Sequence, residues 1–257
     1  MTGFWDSLSG AIVAGVIALP VGYYVRMGVD NMRDRLNARD IIDLFGLKTG
    51  PARIVHSSIF DEQRRAYNYP SCDFRATRAI ANLFDRAHRQ EDRDFHVQPE
   101  FEILIAQQVD PMLWRQNLVL LCGPKRNSAV AEAFTRLPSG INYTMTVDPA
   151  TDRNLLRDNR RNHLLKSSRE DPDVAAKPVG GYDYGLVLSM QDAFYPGATV
   201  TILAGVHGTG TLGCGEFLSD PKNVRELLRR RKNGVIAEAI RVDYGSDFES
   251  ITEITLV

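Results

Sequence analysis

Three short stretches bring together the residue types that phosphate chemistry uses. The densest is residues 205–213, Gly-Val-His-Gly-Thr-Gly-Thr-Leu-Gly, with its glycines packed behind an apolar run. Gly208, Thr209, Gly210 and Gly213 match G-x-G-x-x-G, a pattern that is weak alone and gains meaning only between a strand and a helix. The second, residues 122–128, reads Cys-Gly-Pro-Lys-Arg-Asn-Ser. A glycine turn, two cations and a helix start make an anion site, because the first N–H groups of a helix are unpaired and its dipole favours negative charge. Gly123, Lys125, Arg126, Asn127 and Ser128 are the candidates there. The third is Ser57 and Ser58 after a short apolar run, where hydroxyls can bond a phosphate or a carboxylate.

Each stretch has a plainer explanation. Two serines after a strand often cap their own backbone. Lys125 and Arg126 suit any solvated loop. Glycines can serve only close helix–strand packing. His207 lies among Gly208, Thr209, Gly210 and Thr211 and has the chemistry of a general base or phosphate donor. Most single loop histidines are neither. No Walker A loop, Ser-His-Asp order or paired carboxylate set is present, and no metal or cofactor is expected. Asp183 and Asp192 flank a strand without a tie to catalysis.

The elements that must position these loops emerge from apolar patterning. Residues 117–122 and 199–205 are nearly continuous apolar runs, as in strands buried on both faces. The first is succeeded by a helix over 128–137 capped by Asn127 or Ser128, the second by a helix from about Thr211. A helix over 74–89, a strand over 141–147, a strand over 186–190, a basic helix over 223–232 and closing strands at 235–243 and 251–257 complete the body. Alternating strand and helix predict a three-layer, Rossmann-like α/β domain with a mostly parallel sheet. Ligands of such sheets bind beyond the carboxyl ends of the strands. Residues 151–176 are polar, with six cations between Arg153 and Arg169, and read as a loop that orders on a ligand.

Residues 7–25 are 19 uncharged, mostly apolar residues between Asp6 and Arg26, with Phe4, Trp5, Tyr23 and Tyr24 at the rims. Their length and aromatic flanks predict a membrane span. A signal peptide would need a basic leader and a small-residue cleavage site. Arg26, Arg33, Arg35, Arg39 and Lys48 place the C-terminal body in the cytoplasm by the positive-inside rule. Gly10, Ala14 and Ala18 form a small-residue face suited to helix association. The expected organisation is a transmembrane helix at 1–28, a stalk at 29–50 and a cytoplasmic α/β domain at 51–257, in a single-pass protein of the cell inner membrane.

Composition narrows the rest. Lys and Arg number 31 and Asp and Glu 32, a net charge of −1, so no global field draws nucleic acid. Cys72, Cys122 and Cys214 have no metal spacing and fit a reducing compartment.

This layout, one N-terminal span, basic loops and the turn His207-Gly208-Thr209-Gly210-Thr211, resembles membrane effectors of prokaryotic anti-phage signalling. In these a transmembrane helix is fused to a nucleotide-sensing α/β domain; Hailong-type effectors are one example. The resemblance implies a homo-oligomer in the lipid bilayer, gated by a nucleotide or oligonucleotide. The competing readings are an anchored enzyme acting on a phosphorylated or nucleoside substrate, with His207 partnered by Ser57 or Asp183, and a plain interaction domain.

Overall fold

The computed structural model describes residues 29–50, 52–56, 59–61, 66–68, 70–91, 101–102, 110–170 and 180–257. Its frame is a seven-stranded sheet. In chain order its strands are β1 (Ala52–Val55), β4 (Phe101–Glu102), β5 (Asn117–Leu121), β9 (Gly181–Gln191), β10 (Thr199–Gly205), β11 (Val235–Tyr244) and β12 (Ile251–Leu256). The spatial order is β12-β11-β9-β10-β5-β1-β4. A hairpin of β2 (Ile59–Asp61) and β3 (Ala66–Asn68) stands apart. So does a three-stranded antiparallel sheet of β6 (Tyr143–Asp148), β7 (Arg153–Asp158) and β8 (His163–Leu165).

The main sheet is mixed. β10, β5, β1 and β4 are mutually parallel, whereas β9 pairs antiparallel with both β10 and β11, and β11 with β12. With the two small sheets, antiparallel pairing predominates, and the mostly parallel Rossmann-like sheet is corrected to a mixed α/β one. The reason is a connection length. Only residues 192–198 join β9 to β10, and a parallel crossover takes a dozen residues or more. Asp192 closes the link with its carboxylate, which accepts the Gly197 N–H at 2.6 Å.

Each face of the sheet is covered. One face carries α1 (a helix described over residues 29–45), α2 (Ser71–Glu91), α4 (Gly208–Ser219) and α5 (Pro221–Arg230), whose apolar sides meet Val119, Leu121, Val187 and Leu203. The other carries α3 (Ser128–Thr135), a 3-10 turn at Pro111–Arg115 and the inner side of the small sheet, against Leu118, Leu120, Leu188 and Ile202. β5 and β10 are buried at every position, as their unbroken apolar runs require.

Residues 38–45 of the expected stalk lie in the core: Ala38, Ile41, Ile42, Leu44 and Phe45 are buried. The basic helix α5 binds this segment. Arg225 pairs with Asp40 at 3.1 Å and Arg231, just past its end, with Asp43 at 3.0 Å, while Arg230 bridges Glu226 and Glu238. These cations are engaged inside the fold.

Among the described residues no helix is long and apolar enough to cross a membrane. The apolar run at 7–25 lies outside the described residues. The expected transmembrane helix and single-pass inner-membrane location are corrected accordingly: no described helix supports them. The nearest described helix, α1, carries Arg33, Asp34, Arg35, Arg39, Asp40 and Asp43 and buries only one side, the pattern of a surface helix on a core.

The polar stretch after Thr151 also differs from expectation. It forms β7 and β8, with Asn154, Leu156 and Asp158 of β7 facing in. Asn154 and Asp158 are polar, so the period-2 signal is hidden from hydropathy.

Candidate functional site

β5 and β10 are parallel neighbours, Leu203 opposite Leu121. Their chains then leave to opposite faces. β5 feeds α3, whose Ala129, Val130 and Ala133 pack with Leu118 and Leu120. β10 feeds α4, whose Cys214, Phe217 and Leu218 pack with Val119 and Leu121. A crevice necessarily opens at such a switch point, beyond the strands' carboxyl ends. Here it is a cavity of about 250 Å³, and it joins the two loops singled out above.

The β5 side is tightly built. Cys122 turns the chain at φ +82, a left-handed conformation uncommon for a residue with a Cβ. Asn127 caps α3: its Oδ1 accepts from the N–H groups of Ala129 (3.1 Å) and Val130 (3.4 Å), and its Nδ2 donates to the Leu121 carbonyl at 2.8 Å. Asn127 is thus engaged in the fold, and neither it nor Ser128 lines the cavity. Gly123 permits a close approach, since a Cβ there would lie 2.1 Å from Nδ2 of Asn154. Asn154, from β7, accepts the Lys125 N–H at 3.2 Å and donates to the Gly205 carbonyl at 3.3 Å, so it ties both loops together. Lys125 Nζ pairs with Asp152 at 2.6 Å.

The β10 side holds an anion of its own. The buried Asp183 carboxylate accepts from the N–H groups of Tyr184 (2.9 Å), Gly210 (2.7 Å) and His207 (3.2 Å). It occupies the positive end of α4, the place expected for a ligand phosphate. Burial pushes its carboxyl up to about 6, and the three N–H groups hold it from rising further. Gly210 is required by packing, because a Cβ would lie 2.2 Å from the Tyr184 carbonyl oxygen. Thr211 turns its hydroxyl inward to accept the Gly205 N–H at 3.0 Å, and the Thr209 hydroxyl donates to the Phe248 carbonyl at 2.8 Å.

Of the candidates, Lys125, Arg126, His207, Gly208 and Thr211 line the cavity, while Gly123, Thr209 and Gly210 support its walls. Ser57 and Ser58 lie outside the described residues. The structure adds Arg153 at the start of β7 and Arg169 after β8. Both were visible only as members of a charged stretch. Their shared direction depends on how the small sheet docks.

Cations outnumber carboxylates on the cavity wall, Lys125, Arg126, Arg153 and Arg169 against Asp73 and Asp152. Arg126, Arg153 and Arg169 have no carboxylate partner among the described residues. The Arg169 guanidinium instead rests on the Phe248 ring, 3.6 Å from its centre. Facing them is His207, whose imidazole is held down to about 4 by burial first and then by Arg169 and Arg153. Glu170 Oε1 stands 3.5 Å from its Nε2, and the imidazole remains neutral at pH 7.

No protein-family model, curated protein or solved structure matches this chain. Its own chemistry has to identify the site.

The neutral imidazole has a pH consequence. A histidine depressed from 6.5 to about 4 supports folding above pH 6.5, and that support is lost as pH falls toward 4. Between about pH 7 and about pH 4.5 the wild type should lose more stability than His207→Gln, as read by urea unfolding at both pH values. Parallel losses would mean that the imidazole is not held neutral.

Proposed function

We propose that this protein binds a nucleotide or a related phosphorylated ligand, with its phosphate groups in the crevice between the β5–α3 and β10–α4 loops. The observation that carries this reading is the convergence of Arg126, Arg153 and Arg169 on one switch-point cavity without carboxylate partners among the described residues. Arginine forks match phosphate oxygens in pairs, and charge-assisted bonds are the strong ones. The opening N–H groups of α4 add less than the glycine pattern suggests, since Asp183 takes those of His207 and Gly210.

Titration calorimetry of the full chain with pyrophosphate tests this. Arg126→Ala and Arg153→Ala should each weaken binding by roughly 10- to 100-fold, the range for a lost hydrogen bond to a charged group. Lys125→Ala should weaken it less, because Asp152 already engages the ammonium. Binding should also weaken with added salt. Pyrophosphate affinity indifferent to both arginines would overturn the reading.

A second reading has one specific support. The neutral His207 imidazole lines the cavity 3.5 Å from the Glu170 carboxylate and has a lone pair that can take a proton from an attacking water, although a pKa held down to about 4 makes it a weak base at pH 7. Release of inorganic phosphate from bound nucleotide, lost in His207→Gln, is its readout.

A further inference from the structure

Beyond Arg169 the basic crevice continues into a second cavity of about 490 Å³, and Arg169 and Gly208 belong to both. The second cavity differs in character. One of its walls is Phe248, an aromatic residue 50 % exposed to solvent. The ring is held in place rather than loose. Tyr244 meets it edge-on at 5.4 Å, and the Thr209 hydroxyl pins its carbonyl to the start of α4.

The charged groups around this cavity are engaged elsewhere. Glu249 pairs with Arg75 at 3.2 Å and accepts the Ser71 hydroxyl. Asp247 accepts from the N–H groups of Glu249 (2.9 Å) and Ser250 (2.7 Å). Burial, with Glu249 and Asp73 nearby, pushes the Cys72 thiol up to about 11, so it stays protonated. What remains is a fixed aromatic face beside two carboxylates, Asp247 and Glu249, that are already engaged, and it borders an arginine-lined crevice through Arg169. A planar uncharged ring joined to a phosphate has that shape and that charge distribution.

Resting on the phosphate reading above, we propose that the second cavity is the nucleoside half of the site. The ligand is a single nucleoside phosphate whose base stacks on Phe248. Arg169, which now covers that ring, turns to the phosphate as the base replaces it. Arg169 is suited to this exchange because no carboxylate among the described residues holds it, and a phosphate is a stronger partner than a ring face. Stacking on one aromatic ring tolerates any base, so the site should discriminate weakly between purines and pyrimidines.

Calorimetry of the full chain with AMP, CMP and ribose 5-phosphate decides this. AMP and CMP should bind at least about tenfold more tightly than ribose 5-phosphate, which has the same phosphate and no base. Phe248→Ala should bring both nucleotides to the level of ribose 5-phosphate and leave ribose 5-phosphate itself within about twofold. Phe248→Leu keeps an apolar contact with Tyr244 and should behave as Phe248→Ala does, which guards against a folding defect. Phe248→Trp should retain the preference. If pyrophosphate binds but AMP and CMP bind no better than ribose 5-phosphate, the base platform falls and the arginine crevice stands. Nucleotide affinity unchanged in Phe248→Ala overturns the platform equally. If neither pyrophosphate nor any of the three binds, both proposals fall.

Discussion

Asp183→Ala should cost about 2–4 kcal/mol of folding stability at pH 7 and dismantle the turn that opens α4. Three backbone N–H groups, of Tyr184, His207 and Gly210, would lose their only described acceptor. An unsatisfied buried donor costs about 1–3 kcal/mol. Against that stands the cost of burying a charge. A carboxyl raised from 3.8 to about 6 carries a penalty of ~3 kcal/mol when ionised. The donors outweigh it, so the net effect is destabilising. Asp183→Asn should fall between wild type and alanine, since its amide must present a donor to one of the N–H groups.

The pH dependence separates these effects. Because the folded pKa of Asp183 is raised, its contribution is complete below 3.8 and is lost as pH rises through about 6. The stability gap between wild type and Asp183→Asn should therefore widen as pH falls from about 7 to about 4.5. This is opposite in sign to His207, so the two residues oppose one another across the same interval. Urea unfolding at both pH values reads the gap. A loss below about 0.5 kcal/mol in Asp183→Ala would show that this carboxylate does not organise the turn.

The second large effect is expected far from the crevice. Phe45→Ala should destabilise the fold by about 3–5 kcal/mol, the usual cost of emptying a buried phenylalanine site. Phe45 is 1 % exposed and meets the Phe84 ring edge-on, with centroids 4.9 Å apart. The same helix presents the Leu44 carbonyl to the Ser189 hydroxyl at 3.0 Å, which fastens α1 to the interior strand β9. A stalk standing clear of the body would lose almost nothing on this substitution, and chemical denaturation distinguishes the two. A fragment beginning at residue 47 therefore lacks part of its core, so binding measurements belong on the full chain.

Particular residues show how much was legible in the chain. β5 and β10 announce themselves, because a strand buried on both faces must be apolar throughout. Asn127 announces α3, because a cap must accept from N–H groups two and three residues on. The glycines at 208, 210 and 213 mark a strand-to-helix turn, yet their spacing cannot separate phosphate binding from packing. Gly210 and Gly213 prove to be packing positions against Tyr184 and Val242. Inward polar residues were the main source of silence. Asn154 and Asp158 break the apolar alternation of β7, although each is buried and hydrogen-bonded.

Sequence alone determined the local pieces: which runs are buried strands, where α3 begins, that a helix follows β10 (expected from about Thr211, observed from Gly208), and which two loops carry small donors and cations. These rest on hydropathy and on backbone groups that must be satisfied within a few residues. Only the tertiary structure decided the rest. Strand direction depends on partners distant in the chain, and it turned an expected parallel sheet into a mixed one. Whether a cation is available depends on whether a carboxylate lies within reach: Asp152 engages Lys125 at the cavity wall and Asp40, Glu226 and Glu238 engage α5 arginines, whereas Arg153 and Arg169 line the cavity without a carboxylate partner among the described residues. The anion at the head of α4 is Asp183, 24 residues before His207, and no local pattern links them. Burial and charge at such a site are properties of the assembled neighbours, and a linear chain does not display them.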